Sequence, residues 1–153
     1  MIQAGGSFWD LGAGVGKTVV AAALMHDFET CYGIEILEEV RNTSRFALQK
    51  WRKEECPRLG PSKSGIVVDF LQDDCVHFEG WVKDASMLLV HTNLTPADMN
   101  LVRAKADGLS VGSLCLSVSL AAVTEDKWGL VAVENVKTSW GKTKLYAHEK
   151  LVP

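Results

Sequence analysis

The sequence has no pair of cysteines in a C-x-x-C spacing. Its four cysteines stand alone at 31, 56, 75 and 115, and its four histidines are scattered at 26, 77, 91 and 148. That pattern gives no zinc-type ligand set and no disulfide framework, so no metal site is expected, and the cysteines read as reduced, mostly buried thiols of an intracellular protein. No apolar run approaches the ~18 residues of a membrane span. Met1-Ile2-Gln3-Ala4-Gly5-Gly6 has no charged region followed by an apolar one, so neither secretion nor membrane insertion is expected. An excess of positive charge is also missing. With 16 Lys and Arg against 19 Asp and Glu, the net charge of −3 argues against tight, unaided binding to nucleic acid, and no sequence-specific contact with it is expected. There is no internal repeat and no low-complexity segment. What is present is ordinary for one globular domain: 153 residues, 47% hydrophobic and 23% charged, long enough to bury roughly 70% of the unfolded surface.

The most informative stretch is Phe8-Trp9-Asp10-Leu11-Gly12-Ala13-Gly14-Val15-Gly16, an apolar entry, an acid, and glycines at alternate positions, leading into a helix from Lys17 to about Phe28. It reads as the first strand, turn and helix of a nucleotide-type α/β fold. Three chemistries compete for such a loop. A phosphate-binding P-loop requires G-x-x-x-x-G-K-[ST]; Gly16-Lys17-Thr18 supplies its end, but its first glycine would fall on Leu11. A dinucleotide loop requires G-x-G-x-x-G/A, and neither Lys17 nor Val19 satisfies the third position. Acid-x-Gly-x-Gly-x-Gly remains, which resembles the first motif of class I methyltransferases that use S-adenosylmethionine.

A ribose-binding acid is expected at the end of the second strand, about 20 residues on. Cys31-Tyr32-Gly33-Ile34-Glu35 ends in such an acid, the alternative being a strand-end surface carboxylate. Leu37, Val40, Ser44, Ala47, Leu48 and Trp51 recur at helical spacing, with Arg41, Arg45, Lys50, Arg52 and Lys53 mostly on the opposite, solvated face, before Pro57 and Pro61 break the pattern. Gly65-Ile66-Val67-Val68 reads as a third strand ending in Asp69-Phe70. An acid followed by an aromatic there would suit an adenine, accepting from its amine and stacking on its ring, the alternative being a core Phe70 and a strand-end cap at Asp69.

Ala85-Ser86-Met87-Leu88-Leu89-Val90 is a continuous apolar run, the pattern of a central parallel strand. Thr95, Pro96 and Asp98 signal a helix start, with Gly108 as its stop. The segment 91–94 is therefore a strand-to-helix loop beside the glycine turn, and His91 and Asn93 are its candidate polar groups at the reacting centre. Ser113–Leu120 reads as a fifth strand, and Leu130–Val136 and Lys144–Glu149 as a final hairpin. The expected architecture is α/β and Rossmann-like, a mostly parallel seven-stranded sheet with a C-terminal antiparallel hairpin, in which one edge strand is antiparallel.

Asp10-Leu11-Gly12-Ala13-Gly14-Val15-Gly16, Tyr32-Gly33-Ile34-Glu35, Arg45-Phe46 with Lys50-Trp51, Asp69-Phe70, and Ser139-Trp140-Gly141-Lys142 with Tyr146 together resemble the disruptor-of-telomeric-silencing family, the histone lysine methyltransferases that lack a SET domain. The resemblance implies a class I methyltransferase fold spanning 1–153 as a single core, S-adenosylmethionine as cofactor, a histone or nucleosome as protein substrate, and a nuclear setting. It implies a cofactor set of Asp10, Gly12 and Gly14 at the methionine end, with Lys17 beside them, Glu35 at the ribose, and Asp69 and Phe70 at the adenine. Tyr146 would help line a channel for a lysine side chain, with His91 and Asn93 at its rim. Two departures accompany it. The family's loop after the fourth strand reads Asn-Asn-Phe-x-Phe or Ser-Thr-x-Phe, whereas here His91-Thr92-Asn93-Leu94-Thr95 carries no aromatic. The family's helical N-terminal lobe is not expected within this chain: either it lies outside this polypeptide or it does not exist. Both departures leave open a second reading, a cofactor-binding module with a regulatory role, and a third, methylation of a non-histone substrate.

Overall fold

The computed structural model describes residues 4–61, 63–139 and 141–153. Seven strands form one sheet: β1 (Ser7–Leu11), β2 (Thr30–Glu35), β3 (Val67–Gln72), β4 (Ala85–Val90), β5 (Leu114–Val118), β6 (Trp128–Thr138) and β7 (Gly141–Lys150), in the order β3-β2-β1-β4-β5-β7-β6. The first five are mutually parallel, and β7 is antiparallel to both of its neighbours. The antiparallel strand is therefore not at the edge, as the hairpin pattern suggested. β7 turns back from β6 and inserts beside β5, which leaves β6 outermost.

Side-chain alternation divides the core into two layers. On one face Phe8, Cys31, Val68, Phe70 and Leu89 pack under α1 (Lys17–Met25) and α2 (Glu38–Lys50). On the other, Trp9, Leu11, Ile34, Leu88, Val90 and Cys115 pack under α3 (Gly80–Asp84) and α4 (Pro96–Ala106). Every residue of β1 is buried, as a central strand covered on both faces must be. Burial raises the Cys31 and Cys115 thiols to about 12 and that of Cys75 to about 11, so they stay protonated.

Several polar groups inside are partnered across elements. The indole N–H groups of Trp9, Trp81 and Trp128 donate to Asp84 Oδ1, the Cys75 carbonyl and Asp107 Oδ1 at 2.9, 3.0 and 3.1 Å. Lys150, fully buried, donates from Nζ to the Asp107 carbonyl at 2.6 Å, with its ammonium 5.5 Å from the centre of the Trp128 ring. A cation there satisfies a carbonyl at the C-terminal end of α4 and favours its dipole. Lys63 does the same for α1, donating to the carbonyls of Ala23 and His26 and pairing with Asp27 at 3.0 Å.

Several boundaries differ from the sequence pattern. α1 stops at Met25, and Phe28 is buried in the connection to β2. α2 ends in a single π turn at Trp51–Glu55 and a 3-10 turn at Cys56–Arg58, which seats Trp51 in the core before Pro57 ends the run. β3 runs on through Asp69-Phe70 to Gln72. α4 begins as expected, with Thr95 as N-cap accepting from the Asp98 N–H at 3.2 Å. Among the described residues no helix is long and apolar enough to cross a membrane.

Candidate active site

The glycine turn leaves β1 and is hooked onto the end of β2. The N–H groups of Gly12 and Ala13 both donate to the Ile34 carbonyl at 2.9 Å. Gly12 has φ +84°, and a Cβ there would lie 2.4 Å from Cβ of Thr92, so the turn and the loop after β4 approach as closely as two backbone segments with one intervening side chain allow. Gly16, also at φ +84°, lets the turn enter α1 over the Phe70 ring, which a Cβ would meet at 2.3 Å.

Two carboxylates fix this turn from below and from the side. Asp10 is buried, accepts a very short hydrogen bond from the Thr18 hydroxyl through Oδ2, and has no partner at Oδ1. Its pKa is raised to about 6 by burial, against the lowering effect of the Thr18 hydroxyl, with the nearby Glu35 charge raising it further. Glu35 sits at the end of β2, where Oε2 accepts from the Gly14 N–H at 3.0 Å and Oε1 from the Leu37 N–H at 2.9 Å. Both of its oxygens are thus oriented, with further lone pairs facing a cavity.

That cavity, about 210 Å³, is lined by Gly12, Glu35, Asp73, Asp74, Asn93 and Asp98, among others. Its four carboxylates, Glu35, Asp73, Asp74 and Asp98, come from the carboxyl ends of β2 and β3 and from the first turn of α4. A second cavity of about 500 Å³ adjoins it through Thr92, Asn93 and Leu94 and is closed by His91, Met99, Val118, Ser119 and Leu120. Burial lowers the His91 pKa, so its ring is neutral at pH 7. No group of three or more His, Cys, Asp or Glu that could hold a metal ion occurs among the described residues.

The structure brings some of the expected site residues together and separates others. Gly12 and Glu35 line the smaller cavity, Gly14 is tied to it through Glu35, Asp10 lies beneath the turn, and His91 and Asn93 line the larger one. Asp69 and Phe70 do not reach either cavity. Because β3 continues, Asp69 is mid-strand opposite Tyr32, and Phe70 is 3% exposed in the core beneath Gly16. The residues at the true end of β3 are Asp73 and Asp74, and the alternation Ile66, Val68, Phe70, all buried, was the signal for that extension. Lys17 opens α1 and lines neither cavity; it lines an apolar groove with Val15 and Gly16 of the turn and with Val20, Leu24 and Trp51. Tyr146 is not in the cavity lining either: the β7 register seats it opposite Ser117, with its ring stacked on His148 at 6.4 Å. Trp140 lies outside the described residues. Thr92, Asp73, Asp74 and Asp98 line the smaller cavity and are candidates that the sequence pattern missed.

The residues present fit S-adenosylmethionine. Glu35 presents an oriented carboxylate where a ribose diol would lie, the buried Oδ1 of Asp10 lacks a donor, and carboxylates at the end of β3 stand where an adenine amine could donate. A doubly wound sheet in this strand order, with a glycine turn and an acid at the end of β2 facing one cavity, defines a class I S-adenosylmethionine-dependent methyltransferase.

Solved structures share the fold over nearly the whole chain. An RNA methyltransferase from Salinibacter ruber in complex with S-adenosyl-L-homocysteine is 20% identical with a TM-score of 0.67, covering 97% of this chain and 84% of that one. An rRNA methylase from Streptococcus thermophilus is 11% identical with a TM-score of 0.69 and coverages of 99% and 90%. Magnesium protoporphyrin IX methyltransferase from Synechocystis with bound S-adenosylmethionine is 11% identical with a TM-score of 0.68 and coverages of 96% and 71%. No curated protein matches the sequence. The family model described as Histone methylation protein DOT1 matches residues 1–105, and the chain belongs to that family.

Proposed function

We propose that the protein is a lysine N-methyltransferase acting on a protein substrate of histone type in the nucleus. The observation that carries this reading is the sign of charge at the site. Glu35, Asp73, Asp74 and Asp98 face the cavity that adjoins the larger one, and among the described residues no lysine or arginine lines either. Such a rim attracts an ammonium side chain and repels the phosphates of an RNA acceptor, the substrate that two of the structural neighbours are named for.

When bound, S-adenosylmethionine supplies an electrophilic methyl on a sulfonium that carries its own leaving group. The chain's part is to bind, align and desolvate. Glu35 and the glycine turn hold one end of the cofactor pocket, and Asp10 supports the turn from within the sheet. A lysine amine must lose its proton before it attacks. Leu94, Met99, Val118 and Leu120 give the larger cavity an apolar wall that favours the neutral amine, while His91 and Asn93 supply polar contacts at its mouth.

A second reading keeps the cofactor pocket and drops the chemistry. The loop His91–Thr95 carries no aromatic side chain and Tyr146 stays outside the lining, so a lysine would meet fewer ring walls than in relatives with the aromatic loop. Two measurements on the same preparation separate the readings. Calorimetric titration with S-adenosylhomocysteine should show binding that Glu35→Ala weakens at least ~10-fold, the loss of one bidentate charged contact. Labelled methyl transfer should then appear on nucleosomes or free histones. Binding without transfer to any protein supports the module, and transfer only to RNA overturns the lysine reading.

A further inference from the structure

The β6–β7 hairpin extends beyond the rest of the sheet on the side where the cavities open. β5 pairs with β7 only as far as Val118 against Leu145, whereas β6 and β7 stay paired to Thr138 against Gly141. The end of the hairpin is thus a two-stranded ribbon without a third strand. Residues 136–144 carry three lysines, Lys137, Lys142 and Lys144, and no acid.

The register sets all three on one face. Lys137 is the direct cross-strand partner of Lys142, and Lys144, two residues on, pairs with Asn135. Along the strand the two lysines stand ~7 Å apart, and the cross-strand pair ~5 Å apart at Cβ. All three are exposed, and among the described residues none of their ammonium groups has a hydrogen-bond or ion-pair partner. Like charges directly opposite destabilise a strand pair, and no carboxylate in this ribbon offsets that cost.

The ribbon is also tied to the larger cavity. Ser119, part of the cavity wall, has φ +75° and is the one described non-glycine residue in the left-handed region. Its N–H donates to the Lys144 carbonyl at 2.9 Å, and its hydroxyl is 3.0 Å from that of Thr143. A molecule held on the lysine face is thereby held beside the cavity mouth.

We propose that this lysine face docks the phosphate backbone of duplex DNA without reading its sequence. Among the described residues, the face beyond Val133 and Tyr146 presents Lys137, Lys142, Lys144 and Asn135, which suits fixed, evenly spaced anions. An acidic protein partner would need an apolar centre to anchor it, and among the described residues the lysine-bearing end of that face supplies none beyond Val133 and Tyr146. The smaller cavity carries negative charge and the ribbon positive charge, so the two zones do not compete for one ligand.

The test is fluorescence anisotropy of a short labelled DNA duplex with the full chain, without methyl donor. Its failure leaves the methyltransferase assignment standing, and a failed transfer assay leaves it untouched. Wild type should bind with a marked salt dependence. K137Q/K142Q/K144Q should weaken binding at least ~10-fold and lower the log–log salt slope by about 3, one per phosphate contact removed. K137R/K142R/K144R should retain both, and R45Q/R52Q/K53Q on and just after α2 should change neither. K142Q alone, lowering the slope by about 1, gives the same reading should the triple variant unfold. Absence of salt-dependent binding by wild type, or a glutamine triple variant that binds like wild type, overturns the proposal. Equal affinity for labelled polyglutamate overturns it in favour of an acidic polypeptide.

Discussion

The half of the sheet from β3 to β4 and the half from β5 to β6 are built to different standards. β1 is buried at every position and β4 at four of six, while along β6 only Trp128 is buried, with Leu130, Val131 and Val133 all exposed. Helices cover both faces of the first half, which carries the glycine turn and Glu35. The second half is a long ribbon with an open edge, and it carries the lysines and the pin at Ser119. The cofactor side gains from a fixed geometry, because alignment is most of what the chain contributes to methyl transfer. The acceptor side gains from reach and accessible charge. Loss of packing density from one half to the other follows that division of labour.

The strongest way to break the comparison is a matched pair of truncations. Leu88→Ala in β4 removes a fully buried side chain and should cost about 4 kcal/mol, whereas Leu130→Ala in β6, 58% exposed, should stay within about 0.5 kcal/mol. Urea unfolding of both variants checks this, and similar midpoint shifts would show that the hairpin is as tightly integrated as the core. Next, Gly16→Ala should cost about 3 kcal/mol, combining a side chain at positive φ with a clash against the Phe70 ring. It should weaken S-adenosylhomocysteine binding as well, since the turn must move.

Asp10 sharpens the comparison through pH. Its folded pKa of about 6 lies above the ordinary 3.8, so between those values the folded chain keeps a proton that the unfolded chain has lost, and stability falls as pH rises from about 4 to about 6. Asp10→Asn should remove that slope and raise stability at pH 7.5 by about 2 to 3 kcal/mol. It should also lower affinity for S-adenosylhomocysteine, a trade that denaturation and calorimetry on one sample would show. In the other half His148 has the opposite sign. Burial lowers its pKa, the unfolded chain takes up the proton first, and stability is lost as pH falls below the ordinary value of 6.5. Replacing it with glutamine should flatten the acid limb slightly, the smallest of these effects.

Much of the first half was legible in the sequence because local rules act there without competition. An apolar run, an acid and alternate glycines specify a strand, a turn and a helix start, and the interval to Glu35 follows from the length of one βαβ step. Thr95, Pro96 and Asp98 announced α4 for the same reason. The sequence pattern puts the end of β3 at Asp69-Phe70 because a charged residue inside a strand looks like its end. The burial of Phe70 beneath Gly16, in alternation with Ile66 and Val68, and the pairing of Leu71 and Gln72 with β2 show that the strand continues. The carboxylates that line the smaller cavity just past β3, Asp73 and Asp74, occupy a stretch with no pattern of its own. Thr92 was hidden because its role depends on contact with Gly12, 80 residues away. The insertion of β7 between β5 and β6 is a choice of pairing partner, which alternation within a strand does not encode.

That insertion also bears on how the chain acquires its fold during synthesis. β5 ends at Val118, but the strand that covers its free edge begins at Gly141, after β6 has been made and the chain has turned back. Until then β5 presents an open ladder next to a completed parallel sheet, the arrangement most prone to pairing with another chain. β5 is only five residues long, and small polar Ser113 and Ser117 punctuate it and its approach, which limits what a passing strand could gain there. A nascent molecule is thus exposed to misassembly for little more than the time taken to add the hairpin.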